Sequence, residues 1–195
     1  LFSLSLGAVN PFLYYLVLFS TYDILKAQEA QALNYTWPIM LTLMSIVILR
    51  QKSSKVQLLA VFIAFLGMVV ITSRGSFFLG MSIAPLGIFL GLFSALIWAS
   101  FWIFNLKSRI DDDIRLFLNF LSGSVFVFVL VMIKGGIQLE GAAGIFGSIY
   151  IGVFEMGITF IIWLGALRLS TEASKISNLI YLSPFISLLF IRLIV

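Results

Sequence analysis

The sequence predicts an all-α, polytopic transmembrane helix bundle of about seven helices, and three observations carry that prediction. Of 195 residues, 62% are hydrophobic and only 10% charged, with a mean hydropathy of +1.16; a soluble domain carries about 25% charged residues. The charges fall in clusters, separated by uncharged stretches close to the ~20 residues a helix needs to cross a bilayer. Basic residues crowd onto alternate connections, as they do on the inner side of a membrane. A strand reading fails: no alternating pattern is present, and lipid requires backbone groups to be satisfied internally.

The elements follow from the gaps. Residues 1–22, 30–49, 56–73, 75–106, 116–133 and 176–191 are uncharged, and only Glu155 interrupts 141–167. The predicted spans are 4–22, 30–49, 56–73, 84–106, 116–133, 143–167 and 176–195. The stretch 74–83, from Arg74-Gly75-Ser76 towards Pro85, reads as a linker between two halves. Arg50, Lys52 and Lys55 share one loop, Lys107, Arg109 and Arg115 a second, and Arg168 and Lys175 a third. The intervening connections hold Lys26, Arg74 and Lys134, one each. The first set is therefore expected in the cytoplasm, with a plasma-membrane location for this multi-pass protein. The chain opens at Leu1 and closes at Val195 inside apolar runs, with no recognisable cleavable signal, which suggests a fragment of a longer membrane protein.

Cysteine and histidine are absent. That removes thiol nucleophiles, catalytic imidazoles and ordinary zinc sites, and no cofactor or metal is expected. No basic stripe supports a nucleic-acid partner. The expected partners are the lipid bilayer and a small-molecule substrate.

The second and seventh spans share a pattern. Glu29 to Asn34-Tyr35-Thr36-Trp37-Pro38 and Lys175 to Asn178 and Tyr181-Leu182-Ser183-Pro184 each place a proline nine residues after a charge, behind Tyr-x-x. Nine residues are ~13 Å of helix, close to half the hydrocarbon thickness. By the charge rule the two spans enter from opposite faces. A proline removes one backbone donor and frees a carbonyl, so each helix can kink and offer polar backbone at mid-depth. Paired interruptions of this kind point to a midplane substrate site between two inverted halves.

Asn34 to Pro38 after Glu29-Ala30, Tyr181 to Pro184, Leu96-Ile97-Trp98-Ala99-Ser100, and Phe154-Glu155-Met156-Gly157 through Trp163 and Ala166-Leu167 together resemble the drug/metabolite transporter superfamily with paired EamA-type domains. The resemblance covers essentially the whole chain. It implies ten helices in two inverted five-helix repeats, of which this chain holds the third to ninth. Residues 1–73 would be the last three helices of the first repeat, 74–83 the linker, and 84–195 the first four helices of a truncated second repeat. The family often has Gly-Glu after its fourth helix; Arg50-Gln51-Lys52 stands here, so no role of that Glu carries over. The Asn-Tyr-x-Trp-Pro segment is similar to that of amino-acid exporters, which implies efflux of amino acids or related metabolites.

The expected path residues are Tyr35, Trp37, Pro38, Trp98, Asn105, Asn178, Tyr181 and Pro184. Gln31, Tyr35, Pro38, Thr42 and Ser45 recur at helical spacing, as a path lining or as interhelical hydrogen-bonding groups. Gly87, Gly91, Ala95 and Ala99 form a smooth packing ridge. Trp98 suits stacking on a flat substrate, while Trp102 suits an interfacial anchor. Glu155 lies near the middle of the sixth span, where an acid is costly and is either a coupling group or a protonated structural residue. Thr159 and Trp163 share its face. Asp111-Asp112-Asp113, flanked by Arg109 and Arg115, reads as a solvated loop rather than a metal site. The Gly141–Gly147 stretch reads as helix-packing residues.

The expected activity is secondary transport by alternating access, not an enzyme reaction, because Glu155 has no nucleophile or metal partner in the sequence. A drug or nucleotide-sugar carrier of the same fold and a non-transporting scaffold are the alternatives.

Overall fold

The computed structural model describes residues 2–72, 84–137, 141–183 and 186. The linker 74–83, Pro184 and Arg192 lie outside the described residues. Seven helices follow one another and, among the described residues, no strand occurs. α1 runs from Phe2–Gly7 through Ala8–Leu13, where it kinks at the non-helical Asn10, into Tyr14–Ile24. α2 is Ala27–Ile48, α3 Lys55–Thr72, α4 Pro85–Lys107, α5 Asp112–Ile133 and α6 Gly141–Leu169. α7 begins as Ala173–Ser177 and tightens into a 3-10 stretch, Asn178–Leu182. Four of them, α2, α4, α5 and α6, are long and apolar enough to cross a membrane.

Local chemistry sets the ends. Leu25 is extended and stops α1. Pro85 opens α4 in the first turn, where a missing N–H leaves no orphan. Asp112 and Asp113 occupy the first turn of α5, and Lys107 and Arg168 the last turns of α4 and α6; each charge opposes the local end of the helix dipole. The aspartate run is thus a helix start rather than a free loop.

α4 is the centre of the bundle. It packs against α1 and both halves of α2, and against the C-terminal half of α6. The small-residue ridge makes this possible: a Cβ on Gly87 would lie 2.7 Å from Leu25 Cγ, and one on Gly91 2.8 Å from Leu33 Cβ. Ala95 and Ala99 are fully buried. α5 lies on α1, and α7 on α3 and the second half of α2. The seam between α2 and α7 is made of hydroxyls. Thr42 meets Ser177 at 3.2 Å, Tyr35 meets Ser183 at 3.3 Å, and Ser53 just beyond α2 meets Ser174 at 3.2 Å.

The three basic loops lie at one end. Gln51 accepts from the Ala173 amide at 3.0 Å, and Arg168 reaches Asp112 at 2.8 Å. The first half of α6, Gly141–Tyr150, has no buried residue, and a Cβ on Gly147 would meet nothing within 4 Å. Its glycines therefore pack on no described helix, unlike the expectation. Large apolar side chains on α3, α5 and α6, such as Phe62, Phe117 and Phe128, face outwards, as a lipid-facing surface requires.

Candidate functional site

α2 is broken into Ala27–Asn34 and Trp37–Ile48. Pro38 has no N–H to give the Asn34 carbonyl. The Ile39 amide turns to the Thr36 carbonyl at 3.0 Å, which leaves the Tyr35 carbonyl open. Tyr181 of α7 supplies the missing donor: its hydroxyl donates to the Tyr35 carbonyl at 3.1 Å. Tyr35 in turn reaches Ser183, so the two tyrosines that share an offset in sequence hold each other's helices. Asn178 starts the 3-10 stretch of α7, and its Oδ1 is buried without a partner among the described residues. Pro184 cannot be placed because it lies outside those residues.

The break is braced from the other side. Asn34 donates from Nδ2 to Ser94 Oγ at 2.9 Å and accepts from the Tyr14 hydroxyl at 3.3 Å. That one carboxamide ties α2 to α4 and α1. Pro38, Thr42 and Ser45 are buried, but Gln31 is exposed. The helical stripe does not survive the interruption at Tyr35-Thr36, and Thr42 serves interhelical bonding rather than an open face.

Next to the break lies an aromatic cluster. Trp98 is its hub, with ring centroids 4.4 Å from Tyr14, 5.5 Å from Phe160, 6.0 Å from Trp102 and 6.3 Å from Trp37. Trp37 also meets Trp163 edge-on at 5.7 Å. Trp98 and Trp163 are half-buried, whereas Trp102 is only 1% exposed. Trp102 is therefore a core residue, and the interfacial-anchor expectation fails. Its ring fills the angle between α4 and α6 against Phe160 at 5.0 Å.

Asn105 sits apart from this cluster, two turns further along α4. It is fully buried, and its Oδ1 accepts from Arg115 Nε at 2.7 Å and Asn119 Nδ2 at 3.0 Å. Arg115, also fully buried, donates to the Ile110 carbonyl and to Asp112. Arg168 clamps the same carboxylate from α6 at 2.8 and 2.9 Å. Asn105 thus belongs to a charge network that pins α4, α5 and α6 together at the basic end, and not to the lining around Tyr35.

Glu155 falls in a widened segment, Ile151–Ile158, whose extra residue is seen in the Thr159 amide donating to the Phe154 carbonyl five positions back. Its side chain is exposed and has no hydrogen-bond or ion-pair partner among the described residues. Tyr15 is its neighbour across the bundle: that hydroxyl lies within electrostatic reach of Glu155 and approaches Met156 Sδ at 3.9 Å. Of the residues expected on the Glu155 face, Trp163 joins the aromatic cluster and Thr159 does not.

One residue escaped the sequence reading. Asn10, inside α1, is fully buried with extended dihedrals of φ −146° and ψ 124° between helical neighbours. The signal was present as Asn10-Pro11, a dipeptide that biases its first residue out of the helix.

The model of the EamA-like transporter family matches residues 1–73 and 85–195. An uncharacterized transporter in the sor 3' region of Acidianus ambivalens is 28% identical over 163 residues, covering 83% of this chain and 62% of that protein. A solved crystal structure shares the fold with a TM-score of 0.81 at 19% identity, over 97% of this chain and 66% of that one. The chain thus spans under two thirds of the length of the relatives it matches. Four membrane-length apolar helices and a family model matched over most of the sequence make this an integral membrane protein, and the chain belongs to the EamA-like transporter family.

Proposed function

We propose that the protein is a secondary transporter of the plasma membrane that exports a small metabolite, an amino acid or a related compound, by alternating access where α2 and α7 meet. The observation that carries this reading is the Tyr181 hydroxyl on the Tyr35 carbonyl. An interrupted helix has its open backbone group capped by a side chain from the 3-10 stretch of α7, through a bond that a substrate can replace. Tyr35, Trp37, Pro38, Trp98, Asn178 and Tyr181 line the path, and half-buried Trp98 and Trp163 give it a flat apolar wall. Residues 1–73 and 84–195 are then parts of two inverted repeats. This is supported by the order of elements: a helix that departs from regular α geometry, at Asn10 in one and over Ile151–Ile158 in the other, precedes the tyrosine helix in each. Glu155, exposed and without a hydrogen-bond or ion-pair partner among the described residues, is the group that carries a proton against the substrate.

The test is counterflow of a labelled amino-acid panel into liposomes holding the purified protein, with Glu155→Gln beside it. Flux of one class that is lost in the variant under a pH gradient, but kept in exchange, supports both transport and coupling. Unchanged proton-driven flux in the variant removes Glu155 from the mechanism. No flux of amino acids, sugars or nucleosides above empty liposomes overturns the transport reading in favour of a scaffold.

A further inference from the structure

The basic residues gathered at one end of the bundle are not alike. Arg115 and Arg168 share Asp112, and Lys175 holds Glu172 at 3.1 Å. Lys107 and Arg109 stand close in the chain to Asp111 and Asp113. Arg50, Lys52 and Lys55 are all exposed and make no ion pair among the described residues. The sequence has no acid anywhere between Glu29 and Asp111. Lys55 is also the first residue of α3, whose first turn holds no acid. In α2 and α5 that turn carries Glu29, and Asp112 with Asp113. A cation there is disfavoured by the partial positive charge of a helix N-terminus. Ser54 and Gln57 already bond each other's backbone amides, at 2.7 and 3.2 Å. This capping box leaves charge, rather than hydrogen bonding, as what is unbalanced at the start of α3.

An apolar stripe continues from these cations into the membrane. Val56, Leu59, Ile63 and Leu66 recur every three or four residues on α3, and all four are exposed. That spacing puts them on one helix face. From Val56 to Leu66 is ~15 Å of helix, the hydrocarbon depth of one leaflet. α3 meets the bundle through a different face, where buried Val61 and Val69 join Ala32 of α2 and Tyr181 of α7. The loop before α3 is divided in the same way. Gln51 and Ser53 turn to α7, bonding the Ala173 amide and the Ser174 hydroxyl, and Arg50 and Lys52 are left outside.

We propose that the start of α3 binds an anionic phospholipid, with its headgroup at Arg50, Lys52 and Lys55 and an acyl chain along Val56, Leu59, Ile63 and Leu66. Clustered Lys and Arg at a membrane surface attract anionic lipid, and the field of the α3 dipole adds to the three side chains. The bound anion supplies the counter-charge that the chain provides at its other basic loops and omits here. A further apolar helix would cover the stripe equally well, but would leave the cations unmatched. Because Gln51 and Ser53 of the same loop hold the first turn of α7, an occupied site also steadies that turn. The site stands whether or not the protein transports.

Native mass spectrometry of the protein in detergent reads lipid adducts and copy number together. The probes are phosphatidylglycerol, phosphatidylcholine and glycerol phosphate. Phosphatidylglycerol is expected to bind at least tenfold more tightly than phosphatidylcholine, and equal glycerol phosphate is expected not to displace it. Replacing the three cations together, as Arg50→Gln, Lys52→Gln and Lys55→Gln, lowers its affinity to that of phosphatidylcholine. Lys107→Gln with Arg109→Gln, in the loop that carries its own acids, leaves it unchanged. Lys55→Glu alone suits the dipole, so it melts no lower than wild type without lipid, yet loses most of the melting rise that phosphatidylglycerol gives wild type. Equal affinity in the triple variant, equal binding of the two lipids or an equal loss in the Lys107 and Arg109 variant overturns the proposal. So does displacement by glycerol phosphate, which would mean that the site reads phosphate without a chain. A lipid-free dimer broken by Leu59→Asn overturns it too, by giving the stripe to a second copy.

Discussion

Replacing Asp112 by Asn tests how the basic end of the bundle is held. The Arg115 side chain is 0% exposed, and Asp112 Oδ1 lies 2.5 Å from its Nη2. Arg115 also donates to Asn105 Oδ1 and the Ile110 carbonyl, but those acceptors are neutral. The substitution removes the negative charge from the carboxylate that the buried guanidinium donates to, a change that costs ~3–5 kcal/mol in buried pairs. Asp112 is itself 23% exposed, which screens the pair and favours the lower end, about 3 kcal/mol. Arg168, 40% exposed, holds the same carboxylate from outside, and its loss as Arg168→Gln is worth ~1 kcal/mol or less. At about 2–4 °C per kcal/mol for a chain of this size, Asp112→Asn is expected to melt about 6–12 °C lower. Arg168→Gln is expected within about 4 °C of wild type on the same scale. Thermal melting in detergent with a pH-neutral buffer measures both. Equal, small shifts for the two variants would refute the argument, because they would show that Arg115 does not depend on Asp112.

Gly91→Ala places a methyl 2.8 Å from Leu33 Cβ and is expected to cost ~1–3 kcal/mol by overpacking α4 on α2. Gly67→Ala meets nothing within 4 Å and is expected to be neutral or to stabilise α3 by up to about 1 kcal/mol; melting of the pair side by side checks both signs. Tyr181→Phe removes the donor to the Tyr35 carbonyl and is expected to lose ~1–2 kcal/mol of stability, together with counterflow. Retained flux in Tyr181→Phe would mean the cap is only structural. Thr42→Val takes a hydroxyl from both the Pro38 carbonyl and Ser177; a melting shift worth ~1 kcal/mol is expected.

The helices were legible because lipid imposes a length and the charges mark where it ends. The span expected at 84–106 is Pro85–Lys107 and that at 116–133 is Asp112–Ile133, extended by the charged turn that starts α5. The pairing of Tyr35 with Tyr181 was visible as a repeated offset, though not that one caps the other's backbone, since a sequence shows which carbonyl a proline frees but not what replaces its donor. Asn10 was hidden inside an uncharged run, where apolar length dominates the signal. Asn105 and Arg115 misled for the opposite reason. Arg115 counts as a loop charge by position, yet one carboxylate and one carboxamide bring it wholly inside. Trp102 sits near a membrane end in sequence, but α6 folds over it.

The seam between α2 and α7 behaves differently from the clamp at the basic end. In each hydroxyl pair, Thr42 with Ser177, Ser53 with Ser174 and Tyr35 with Ser183, either oxygen can be the donor. Such contacts have no fixed polarity. A small slide can exchange one such partner for another without stranding a proton, but the Tyr181 hydroxyl on the Tyr35 carbonyl keeps a fixed direction across the same seam, as Arg115 and Asp112 do at theirs. The hydroxyl pairs are thus the adaptable part of one edge of the bundle, while charge fixes the alignment of the corner where α4, α5 and α6 meet.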